Sequence, residues 1–70
     1  MARPTVGRIV HVLIPDEKPQ AAMVIDDEVA GDQIRLQIFA RTGGRFHGDF
    51  PSVEGVPNHQ GYTWAWPPRD

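Results

Sequence analysis

Apolar and polar positions alternate with a period of two along most of this chain. The clearest case is QIRLQIFA, residues 33–40, where Ile34, Leu36, Ile38 and Ala40 point one way and Gln33, Arg35, Gln37 and Phe39 the other; that is the pattern of a half-buried strand. TVGRIVHVLI, residues 5–14, is rich in β-branched residues and too poor in helix formers to make a helix. Both of its faces are largely apolar: Val6, Val10, Val12 and Ile14 share one with Arg8, while Ile9 and Leu13 share the other with Thr5, Gly7 and His11. A strand wetted on one side alternates more cleanly, so this one is expected to be covered on both, by the core and by a neighbouring loop or subunit. AAMVIDD, residues 21–27, predicts a second strand. RFHGDF, residues 45–50, predicts another, with Phe46, Gly48 and Phe50 opposite Arg45, His47 and Asp49. The last is YTWAW, residues 62–66, which lines up Tyr62, Trp64 and Trp66 on one face before Pro67 and Pro68 stop it.

The connections carry turn chemistry. PDEKPQ is bracketed by two prolines, Gly31-Asp32 suits a hairpin, and Gly43-Gly44 supplies the next turn. A helix over residues 26–40 is tolerated by Asp27, Glu28 and Ala30 but opposed by Gly31 and the β-branched spacing. PSVEGVPNHQG, residues 51–61, has no regular period and reads as a long loop in which Val53 and Val56 tuck inward. Five short strands without a helix predict an all-β chain, a single domain over residues 1–70 forming a small five-stranded antiparallel barrel of the SH3-like or OB-like kind. Closure into a barrel would hide the edges of so short a sheet.

Length changes this picture by adding a demand. A domain of 70 residues buries only about 60% of the surface of its unfolded chain, and with no cysteine it has neither disulfides nor thiolate zinc ligands to staple it. Self-association is the expected remedy. Seven basic and nine acidic residues leave a net charge of −2, which argues against a binder of duplex nucleic acid but allows a pocket for one small phosphorylated ligand. The opening MARPTVGRIV lacks the apolar core of a signal peptide, and no apolar run approaches the about 20 residues of a membrane span. A cytoplasmic location is expected.

Candidate chemistry is sparse. Tyr62, Trp64 and Trp66 either plug the core or a subunit seam or offer a platform on which a base stacks. Arg8 interrupts an apolar strand and needs a partner there, either a carboxylate of Asp26, Asp27 or Glu28 or the phosphate of a ligand held in its bidentate fork. His11, His47 and His59 lack the close spacing of a zinc motif, and no phosphate loop, nucleophile elbow or cysteine nucleophile occurs. No catalytic residue, cofactor or metal is therefore expected, and the chain reads as something other than an enzyme.

TVGRIVH at the start, AAMV in the middle and TWAWP at the end resemble a group of very small proteins encoded by tailed phages and prophages. Ala65 stands where such proteins carry a polar or histidine residue between the tryptophans. By size and expected self-association, the chain further looks like the phage sponges that sequester nucleotide immune signals of the CBASS and Thoeris systems. That likeness implies a non-enzymatic homo-oligomer in the host cytoplasm holding a small nucleotide, with Trp64 and Trp66 stacking on the base, Arg8 and His11 meeting phosphate, and Arg69 closing over the ligand. The alternatives are a structural or protein-interaction module that docks through the aromatic face, and a binder of single-stranded nucleic acid, which the acidic balance disfavours.

Overall fold

The computed structural model describes residues 4–68. Five strands follow in order: β1 (Ile9–Leu13), β2 (Gln20–Asp26), β3 (Gln33–Phe39), β4 (Arg45–Pro51) and β5 (Thr63–Ala65). All pairings are antiparallel, in the spatial order β4-β3-β2-β1-β5. The first four strands form a meander. The fifth then returns to the far side of β1, so His11 lies opposite Ala65 and Leu13 opposite Thr63. This all-β sheet is curled into a half-barrel, in keeping with the expected small SH3-like or OB-like barrel. Among the described residues no helix is long and apolar enough to cross a membrane.

The period-two pattern places the core. Val10 and Val12 of β1, Ala22 and Val24 of β2, Ile34, Leu36 and Ile38 of β3, Phe50 of β4 and Trp64 of β5 are all buried on the inner face. Strand alternation turns their neighbours outward. There Arg35 lies opposite Asp49 and donates to it from Nε at 2.8 Å and from Nη2 at 3.3 Å. That bidentate pair holds the Asp49 carboxyl below its usual pKa and raises that of Arg35.

The first strand is shorter than its sequence pattern predicts. Residues 5–8 form a turn, with Arg8 N–H donating to Thr5 C=O at 3.1 Å and Gly7 at a φ of +93°, a backbone state that glycine adopts at little cost. The two-sided cover expected for β1 is absent within one chain. Its inner face is sealed, but Ile9 and Leu13 on the outer face remain 48% and 39% exposed.

β4 and β5 do not pair with each other, and the gap between them is closed by the segment 52–61. Asn58 fastens this strap. Its Oδ1 accepts from the N–H groups of Gln60 and Tyr62, its Nδ2 donates to Asp49 C=O, and its N–H donates to Tyr62 C=O. Gly55 N–H donates to Trp64 C=O, and Glu54 Oε2 accepts from Trp66 N–H at 2.9 Å. Val53 and Val56, expected to tuck inward, are instead exposed. The strap is held by hydrogen bonds to the edge of β5 and not by apolar burial.

Candidate functional site

The rings of Tyr62, Trp64 and Trp66 share the inner face as their spacing predicts, but they occupy three different environments. Trp64, in the middle of β5, is 1% exposed, and its indole Nε1 donates to Pro51 C=O at 2.7 Å. That bond joins β5 to the end of β4 across the open side of the half-barrel. Trp64 thus belongs to the core, and the expectation that it stacks on a ligand is corrected: its faces are already covered by neighbouring side chains.

Trp66 and Arg8 meet at one end of the half-barrel. The Arg8 guanidinium carbon lies 5.2 Å from the centre of the Trp66 ring, a cation–π distance. The edge of Trp64 completes the cluster, with ring centres 5.3 Å apart and planes at 87°, the T-shaped geometry that aromatic quadrupoles favour. Arg8 sits in the turn before β1 and is exposed, so no burial cost has to be offset there, and its guanidinium lies across an indole face. The structure thus joins Arg8 with Trp66, but as partners of each other.

His11 lies on the opposite side of the sheet. It is an outward residue of β1, between Ala21 of β2 and Ala65 of β5, and the sheet separates it from Arg8 and both tryptophans. Arg69 lies outside the described residues. No group of three metal-ligating side chains gathers among the described residues.

The other end of the half-barrel is open. A cleft of about 420 Å³ lies there, within the range of small-ligand sites, lined by Ile14, Glu17 and Lys18 after β1, Gln20 at the start of β2, Ala40 to Thr42 after β3, Phe46 of β4 and Tyr62 before β5. Two aromatic rings and two cations, Lys18 and Arg41, converge on it. Gln20 holds its two rims together. This side chain belongs to a residue only 4% exposed; its Nε2 donates to Lys18 C=O at 2.8 Å and its Oε1 accepts from Arg41 N–H at 2.7 Å. A buried amide satisfied at both ends is costly to disturb, so the loops bearing the two cations are fixed relative to each other.

The loop after β1 is also strained beside this cleft. Glu17 N–H donates to Ile14 C=O at 3.0 Å, closing a turn in which Pro15 precedes Asp16 at a φ of +66°. Left-handed backbone of this kind costs a non-glycine residue about 1 kcal/mol, and such strain concentrates where a loop is held in a functional shape. Sequence reasoning missed this cleft because its residues come from three separated stretches, 14–20, 40–46 and Tyr62. Pro15-Asp16 was legible as a turn, but no spacing linked Lys18 to Arg41 or either to Tyr62.

Comparison with known protein families, curated proteins and solved structures gives no match, so function is argued from this geometry.

Proposed function

We propose that the protein is a non-enzymatic binding module that retains a small nucleotide in the cleft at the Tyr62 end. One observation carries this reading: two aromatic residues and two cationic ones, against the single carboxylate of Glu17, line one cleft whose rims are joined by the buried Gln20. Flat rings favour a base, and lysine and arginine favour phosphate. The ligand residues of this proposal are Tyr62, Phe46, Lys18 and Arg41, in place of Trp64, Trp66, Arg8 and His11. The resemblance to phage proteins gives the proposal its biological form, sequestration of a nucleotide immune signal by a self-associating protein in the host cytoplasm.

Isothermal calorimetry against mononucleotides, cyclic dinucleotides and cyclic ADP-ribose isomers tests the reading. Saturable binding of at least one, weakened about tenfold or more in Lys18→Glu by loss of a charge-assisted contact, supports it. Flat titrations across the panel sink it. They would transfer the proposal to a protein-docking module, a reading favoured by the partly exposed Ile9, Leu13 and Phe39 on the outer face.

A further inference from the structure

The two outermost strands of the sheet are finished differently. Beside β5 the strap meets the N–H and C=O of Tyr62, the C=O of Trp64 and the N–H of Trp66, through Asn58, Gly55 and Glu54. On the other outer strand, β4, the ladder to β3 is anchored at its two ends by Ala40 N–H to Gly44 C=O and by Ser52 N–H to Asp32 C=O. Antiparallel alternation then turns the backbone groups of Phe46, Gly48 and Phe50 toward β3 and those of Arg45, His47, Asp49 and Pro51 outward. The outward carbonyls of Asp49 and Pro51 are taken, by Asn58 Nδ2 and Trp64 Nε1. Those of Arg45 and His47 accept no hydrogen bond from the described residues, and their N–H groups donate none to them.

Glycines, Gly44 and Gly48, close this bare stretch two residues to either side of Phe46. On the inner face Phe46, 39% exposed, stands alone between Gly44 and Gly48, and a side chain at Gly44 would meet nothing within 4 Å. We propose that the bare edge of β4 pairs antiparallel with the same edge of a second copy, with the two-fold axis at Phe46. Arg45 then exchanges both backbone hydrogen bonds with His47 of the second copy, and His47 with its Arg45, four bonds in all. The two Phe46 residues face each other in a non-hydrogen-bonded pair, where side chains approach most closely. Gly44 opposite Gly48 places no side chain beside the rings; the space at Gly44 is open, while a Cβ at Gly48 would meet Phe50 at 3.5 Å and Gln60 at 3.8 Å. A pairing centred on His47 instead would need the Asp49 carbonyl that Asn58 holds.

A second copy is the occupant that this pattern fits, because pairing about Phe46 sets glycine against glycine and ring against ring, and sets each arginine against an imidazole and not another arginine. Pairing here also carries Phe46 of the second copy to the rim of the cleft, since Phe46 is one of its lining residues. The proposal is independent of which ligand, if any, the cleft takes.

Sedimentation equilibrium of the full chain, with two variants, tests it. The wild type is expected to have twice the 7.8 kDa subunit mass. His47→Pro removes an outward N–H from an edge strand, a place where proline is tolerated, and should weaken the dimer about tenfold or more by deleting two of its four bonds. In this cysteine-free chain, Phe46→Cys should form an inter-subunit disulfide on mild oxidation, while Val53→Cys on the exposed strap should not; this keeps the test alive if His47→Pro fails to fold. A wild type of single subunit mass at all concentrations overturns the proposal. So does a dimer that Phe46→Cys fails to cross-link.

Discussion

The two ends of the β5 aromatic ladder begin from the same sequence pattern and finish differently. At the Trp66 end the ring is met face-on by Arg8, edge-on by Trp64, and its backbone N–H is capped by Glu54. At the Tyr62 end the ring borders open space beside two cations. Between them Trp64 is sealed. The difference teaches that spacing sets which face a ring takes, while what stands opposite decides whether it becomes core, a closed cluster or the wall of a site. The cation nearest in sequence to the ladder's partner strand, Arg8, lies across the Trp66 ring; Lys18 and Arg41, which line the cleft, come from two loops.

The contrast is broken most severely at its centre. Trp64→Ala removes a buried ring and its bond to Pro51, a change that costs about 3–5 kcal/mol. A domain of 70 residues has a total stability of only about 3–10 kcal/mol, so urea denaturation should show this variant largely unfolded. Tyr62→Ala, in contrast, should keep the fold and abolish nucleotide binding. Equal loss of stability in both variants would erase the distinction between core ring and site ring.

Next in size is Asn58→Ala, which strips the strap of its side-chain bonds to Asp49, Gln60 and Tyr62. Loss of about 2 kcal/mol is expected, together with weaker ligand binding because Tyr62 is no longer held. The denaturation midpoint measures the first and calorimetry the second. An unchanged midpoint would mean that the strap does not brace the open end.

Much of the fold is legible in the sequence, and the reasons are local. The alternation in residues 33–40 and 45–50 marks β3 and β4, and Gly31 and Gly43 mark their turns. The start of β1 was misread because Val6 continues the apolar pattern, while Gly7 bends the backbone away regardless. The strap was seen as a loop, but Asn58 was not, since one asparagine in PNHQG gives no hint that its side chain will reach Asp49. The site was the least legible part. Gln20 looks like any polar residue at a strand start, and its role exists only once β3 has carried Arg41 back to it.

Smaller effects sharpen the comparison. Arg8→Gln loses the cation–π contact, worth about 0.5–1 kcal/mol at a partly exposed site, and should leave nucleotide affinity unchanged. A matching drop in affinity would place the ligand at the Trp66 end. The smallest expected effect is a pH dependence from Asp49, whose carboxylate pairs with Arg35 on the outer face. Its folded pKa lies below its unfolded value, near 3.9, so the Arg35 pair contributes fully above about pH 4. That contribution fades as pH falls through the folded value. Asp49→Asn should flatten the acid limb of a stability-against-pH curve, and an unaltered limb would assign acid sensitivity to other carboxylates.

The most direct measurement is a two-dimensional amide NMR titration of the full chain with adenosine monophosphate. The account predicts saturable shifts concentrated at Lys18, Gln20, Arg41 and Tyr62, with the Arg8 amide and the Trp66 indole N–H unmoved. Shifts centred on Arg8 and Trp66, or none beyond those of inorganic phosphate at any residue, would contradict it.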